Sequence, residues 1–259
     1  MGLLLKAGIN IDLINSALLA FSCIAFFILI TNFFAPLKNT LPNYSLQLAG
    51  LIGNTSFLGI PIAIALLPTD IINFTIGFDL GTTLFSWIFG PYLLQKKSKK
   101  HVSFNFRKLL SSILNSPASR GIIGVLIIYF FNLDNIIGNF LWLPAKLVIY
   151  IAITVVGARL GIITDNKNIL LKLEGNIINA LLLKLFILPT FVYVICLIFN
   201  FDRTGITALV LQAGTPSAIS TILMAEAYNK NRELAAKALF ITTIISTATI
   251  PIIFLTVSN

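Results

Sequence analysis

Charged residues are scarce in this 259-residue sequence, at 10% of the chain. That is too few to solvate the surface of a water-soluble domain. Histidine occurs once and cysteine twice. With so few ligands there is no spacing for a metal site and no disulfide framework. Cys23 and Cys196 both fall inside apolar runs and read as buried thiols. No nucleophile–base constellation and no phosphate-binding loop is present, so an enzyme is not expected, nor is any cofactor. The formal net charge of +9 does not point to nucleic acid, because the cations lie between apolar runs and form no arginine cluster or stacking platform. The N-terminus lacks the basic region, short apolar core and small-residue cleavage site of a secretory signal.

Apolar sequence is abundant: 57% of residues are hydrophobic and the mean hydropathy is +0.95. A membrane-spanning helix needs about 20 apolar residues, and such runs follow one another almost end to end. They predict an all-α membrane protein with eight spans, at residues 12–34, 44–67, 71–94, 120–131, 141–161, 175–199, 205–228 and 234–257. The fourth is short, and its helix is open to an earlier start near Phe104.

Two of the spans are interrupted. The run 44–67 contains Gly53-Asn54-Thr55-Ser56-Phe57-Leu58-Gly59-Ile60-Pro61, and the run 205–228 contains Gln212-Ala213-Gly214-Thr215-Pro216-Ser217-Ala218-Ile219-Ser220. Proline donates no backbone N–H and obstructs the preceding turn, while glycine loosens the backbone. Broken backbone at membrane depth is tolerated only where protein or a water-filled cavity surrounds it. Two such spans in corresponding places are a sequence sign of a carrier's binding site.

Loop charge orients the spans. Lys38, the cations between Lys96 and Lys108, then Arg159, Lys167 and Lys172, and finally Lys230, Arg232 and Lys237 all fall on one set of alternating loops. The other set holds Thr69 and Asp70, the stretch 132–139 with Asp134, and Asp202 with Arg203. Lysine and arginine accumulate on the cytoplasmic side, so both termini are expected outside. A straight, a broken and a straight span occur first at spans one to three and again at spans six to eight. The two triplets start on opposite sides, which is the pattern of an inverted repeat.

Around the breaks the sequence resembles the auxin efflux carrier family, which includes bacterial malonate and other organic-acid permeases. The resemblance rests on Gly53-Asn54-Thr55 with Gly59-Ile60-Pro61, and on Leu211-Gln212-Ala213 with Pro216, Ala225-Glu226, Tyr228 and Pro251. It extends to Asp79, to Asn115-Ser116-Pro117, and from Lys184 to Pro189. It implies ten helices in two inverted halves, with two broken helices that cross in a transport unit sliding against a homodimeric scaffold. By that resemblance 1–94 and 162–259 are the halves of the transport unit, 95–119 is a cytoplasmic basic loop and 120–161 holds the remaining scaffold helices. The family's first two helices have no counterpart here. The implied location is a bacterial plasma (inner) membrane.

Breaking a helix exposes N–H groups at the start of its second half and carbonyls at the end of its first. The N-terminal end carries partial positive charge and suits a carboxylate. Gly53, Asn54, Thr55, Ser56 and Pro61 on one span, and Gln212, Gly214, Thr215, Pro216 and Ser217 on the other, are therefore the candidate substrate site. Asp79 and Lys184, both within spans, are candidates for charge balance or coupling, because ionisable groups at that depth are functional by default. Lys184 has a structural alternative, donation to the carbonyls of a broken helix. Thr221, Thr242, Thr243 and Ser246 read as hydroxyls bonded to their own helices, and Glu226 as a surface partner of Lys230.

The reading is a secondary carrier for a small organic anion, a malonate-like or auxin-like carboxylate, embedded in membrane lipid. Coupling to protons or to sodium stays open. Two rivals stand beside it: a non-transporting membrane protein or partner subunit, motivated by the two helices without counterpart, and a carrier of the bile-acid/sodium symporter type.

Overall fold

The computed structural model describes residues 2–34, 39–68, 71–95, 117–165 and 175–258. These form helices and their connections, with no strand among the described residues. In chain order they are α1 (Gly2–Ala7), α2 (Ile11–Phe33), α3 (Tyr44–Leu51), α4 (Ile60–Leu66), α5 (Ile72–Gln95), α6 (Pro117–Phe130), α7 (Asp134–Asp165), α8 (Gly175–Leu182), α9 (Leu188–Ile198), α10 (Arg203–Ala213), α11 (Ile219–Ala227) and α12 (Arg232–Ser258). A wide π turn, Thr55–Gly59, leads into α4, and a second, Leu183–Ile187, joins α8 to α9.

Three described helices, Ile11–Phe33, Gly175–Ile198 and Arg232–Ser258, are long and apolar enough to cross a membrane. Large apolar side chains stand on the outer faces of the bundle, Phe33, Phe130 and Phe140 among them. In water such a surface would drive association; in a bilayer it meets acyl chains. The protein is an all-α integral membrane protein.

The helices differ from the expected spans in three places. The helix α7 is longer than the span 141–161, because the stretch 132–139 is helical from Asp134 onward. Asn132, with φ 53°, ends α6, and Leu133 N–H bonds Ile128 O at 3.0 Å, so the turn is tight and α7 begins at once. The fourth helix starts at Pro117, and any earlier turn toward Phe104 falls outside the described residues. A short helix, α1, precedes the first expected span and packs on α7. Asn200 and Asn229, also left-handed, end α9 and α11 in the manner of Asn132. The basic residues of 96–116, with Lys38, Thr69, Asp70, Lys167 and Lys172, lie outside the described residues.

Close packing of α2 on α5 sets the position of one half of the interior. A Cβ on Gly77 would come within 2.3 Å of Leu13 O, and one on Gly81 within 2.1 Å of Ala17 O. Small residues one turn apart let two membrane helices approach to backbone contact. Asp79 lies midway between these glycines, about 200° around the helix from Gly77 at 100° per residue. The contact with α2 therefore turns Asp79 away, toward the first break.

Candidate functional site

The two breaks lie side by side. After α3 ends, the backbone at Ile52 is extended, with φ −88° and ψ 113°. After α10 ends, the chain runs through Gly214, Thr215, Pro216 and Ser217 to an extended Ala218, with φ −80° and ψ 145°. Gly53 and Ser217 pair antiparallel. Asn54 N–H donates to Pro216 O at 2.7 Å, and Ala218 N–H donates to Ile52 O at 2.9 Å. Each break thus satisfies backbone groups of the other, which neither helix can do alone. Ser217 strengthens the junction: its Oγ donates to Ala49 O at 2.6 Å, and its N–H donates to Thr242 Oγ1 at 3.1 Å.

The π turns follow from proline. A proline ring clashes with the carbonyl four residues back and offers it no N–H. For Pro61 and Pro189 those carbonyls belong to Phe57 and Leu185, each inside a π turn that ends two residues before the proline. Widening the turn relieves the clash, and such turns gather at functional sites. Pro61 therefore acts locally, in the first turn of α4.

One ionisable side chain meets each break. Thr55 Oγ1 and Ser56 Oγ donate to Asp79 Oδ1 at 2.6 and 2.5 Å. Asp79 thus sits beside the start of the second half-helix, held there by two hydroxyls of its first turn. Lys184 is 1% exposed, and its Nζ donates to Ala213 O, the last residue of α10, at 2.5 Å. That is the structural alternative anticipated for Lys184. Among the described residues no ion pair joins Asp79 and Lys184; they serve opposite breaks.

Glycines make the crossing tight enough for these contacts. A Cβ on Gly53 would meet Thr215 Oγ1 at 2.4 Å and Lys184 Nζ at 3.1 Å, and one on Gly214 would meet Ile253 Cδ1 at 2.7 Å. Thr215 Oγ1 itself donates to Gln212 O at 2.7 Å. Gln212 is fully buried, and neither its Oε1 nor its Nε2 has a hydrogen-bond partner among the described residues; the same holds for Asn54 Nδ2. A buried amide left unpaired costs about 1–3 kcal/mol, so three orphaned atoms on the two breaks are groups with capacity for a solute.

The structure therefore gathers Gly53, Asn54, Thr215, Pro216, Ser217 and Lys184 at one junction, and places Thr55, Ser56 and Asp79 on its flank. The sequence reading missed two partners. Gly59 lies under the Gln212 side chain, and Thr242, beyond bonding Ala238 O in its own helix, accepts from Ser217. Thr221, Thr243 and Ser246 do bond their own helices. Glu226 pairs with exposed Arg232 at 3.0 Å rather than with Lys230, because the turn at Asn229 brings Arg232 back over α11.

Two cavities, of about 960 and 410 Å³, lie to the side of the junction. The larger is walled by α2, α5, α9 and the turn before α10, the smaller by α9, α10 and α12. Neither is lined by Asn54, Gln212, Asp79 or Lys184.

An apolar helical protein whose buried helices break, pair their broken backbones and hold ionisable groups there has the construction of a membrane transporter. The comparison with known proteins agrees. The family described as membrane transport protein matches residues 121–254, just over half of the chain, and the chain belongs to it. That match takes in Lys184 and the second break but not the first. An uncharacterized transporter of Methanocaldococcus jannaschii is 23% identical over 204 residues, which cover 78% of this chain and 64% of that protein. The chain thus spans less than two thirds of its relative's length.

Proposed function

We propose that this transporter carries a small organic anion, a mono- or dicarboxylate, by alternating access around the two paired breaks, and is not an enzyme. The observation that carries the reading is the junction itself. Two broken helices are hydrogen-bonded through their breaks, with unpartnered amides of Asn54 and Gln212 and hydroxyl-rich turns beside them. Helix starts and neutral amide donors suit a carboxylate. The inverted repeat is part of the proposal and rests on the matching order of straight and broken spans.

Eight spans, a cytoplasmic basic loop, external termini, residence in a bacterial plasma membrane and a homodimeric assembly complete the proposal. It draws these from loop charge and from the family resemblance. Asp79 and Lys184 hold the charge balance at the breaks. The test is binding of labelled malonate and of an aromatic monocarboxylate to the purified chain and to the chain in proteoliposomes. Saturable binding, competed by unlabelled carboxylate and weakened by Asn54→Ala, is the expected result. Binding unaltered by Asn54→Ala, with no substrate protection of a cysteine placed at 215, would put the site elsewhere.

A further inference from the structure

We propose that the Lys184 ammonium is a tethered cation, built into the carbonyl end of the second break in the place where a broken-helix carrier would otherwise hold a free monovalent ion. The inference rests on reading the breaks as the transport site and deepens it.

The last carbonyls of a helix have no partner within it, and that end carries partial negative charge. Where the end is buried, something must supply positive charge or donors. In carriers built on discontinuous helices, such carbonyl ends coordinate the coupling cation. At the end of α10, Val210 O accepts from Gly214 N–H at 2.9 Å, and Gln212 O accepts from Thr215 N–H and Oγ1. These donors are neutral. Ala213 O alone receives a charged donor, Lys184 Nζ.

Among the described residues, no charged donor meets the first break. At the end of α3, Leu48 O accepts from Ile52 N–H, Ala49 O from Ser217 Oγ, and Ile52 O from Ala218 N–H. All three donors are neutral. At the first break a helix-end carbonyl, Ala49 O, is thus met by a neutral hydroxyl. At the second break an ammonium nevertheless occupies that position.

Two local features hold it there. The π turn Leu183–Ile187, set by Pro189, carries Lys184. Gly53 clears the path of its stem, since a Cβ there would lie 3.2 Å from Cε and 3.1 Å from Nζ. An ammonium matches a small alkali ion in charge and brings its own anchor, so the site needs fewer oxygen ligands than a free ion would. Removing the ammonium and most of the stem leaves Ala213 O without that donor, in the neighbourhood of Gly53 that Thr215 Oγ1 also borders.

The test follows thermal unfolding of the purified full chain in choline chloride, with ammonium, methylammonium, sodium or potassium added at constant ionic strength. Wild type gives the baseline response to each cation. Lys184→Ala should unfold at lower temperature and regain most of the difference, saturably, with ammonium or methylammonium, as a ligand specific to the folded state does. Lys184→Met fills the space with a neutral chain and should show no gain beyond wild type. If Lys184→Ala does not reach the membrane, Lys184→Ser, which truncates the stem equally and leaves the same space, takes its place in the same series. No cation-specific gain in the truncated variant, or an equal gain in Lys184→Met, overturns the proposal. The readout uses no substrate, so a positive cation series combined with absent carboxylate binding would reject the substrate reading alone.

Discussion

The side-chain amide of Gln212 lies directly over the backbone of Gly59, so close that a Cβ there would come within 2.2 Å of Gln212 Oε1. The first broken helix thereby touches the second at a point beyond the backbone pairing. Gly59→Ala forces one of them to move. Overpacking of this kind costs about 1–3 kcal/mol, so the variant should unfold at lower temperature. Gln212→Ala in the same chain should recover stability, because it removes the opposing amide. A Gly59→Ala protein as stable as wild type would show that the contact is not made in the membrane.

Asn54→Ala separates substrate contact from fold. It deletes an amide whose Nδ2 has no partner among the described residues and leaves the Asn54 N–H bond to Pro216 O in place. Folding should be preserved. Carboxylate affinity should fall about ten- to hundredfold, the worth of roughly 1.5–3 kcal/mol for a hydrogen bond to a charged group. Equilibrium binding to purified protein checks this.

Pro216→Ala acts through geometry. It allows a more continuous helix across the second break and adds a backbone donor to the turn, while Pro216 O is the acceptor for Asn54. Transport should drop further than binding. Parallel uptake and binding curves on one preparation measure the split, and equal losses in both would contradict it.

Asp79 is the acceptor for two hydroxyls, and its substitutions should separate charge from hydrogen bonding. Asp79→Asn keeps an oxygen for Thr55 and Ser56 and should retain most of the stability. Asp79→Ala strands both hydroxyls, at about 1–3 kcal/mol for each left unpaired. Thermal unfolding of the two variants side by side decides it. Equal destabilisation would mean that the charge, rather than the hydroxyl contacts, holds the first break.

The membrane orientation is tested at Ser98 within the basic stretch. In a chain with Cys23 and Cys196 replaced, a cysteine at 98 should react with impermeant reagent only after the membrane is opened. Labelling from outside in sealed cells would invert the orientation.

The membrane class, the helical fold and both breaks were legible in the sequence, because each depends on local properties. Twenty apolar residues without charge span a bilayer whatever their neighbours, and Gly53, Gly214 and Pro216 interrupt a helix by their own covalent structure, while Pro61 only widens the turn before it. Helix ends were less legible: α7 starts at Asp134 because Asn132 adopts φ 53° and ends α6 abruptly, an alternative that an Asn-rich stretch offers but does not compel.

Which groups meet was decided by tertiary structure. Nothing in the spacing of Asn54 and Pro216 sets their backbone bond; it exists because two antiparallel breaks each leave unpaired donors and acceptors that only the other can reach. Lys184 and Asp79 both read in sequence as ionisable groups at membrane depth, with their contacts unassigned. Packing through Gly77 and Gly81 turns Asp79 to Thr55 and Ser56, while the π turn before Pro189 and the missing Cβ of Gly53 bring Lys184 to Ala213 O. A carbonyl at a helix end has no side-chain signature, so its pairing with an ammonium appears only when the helices are assembled.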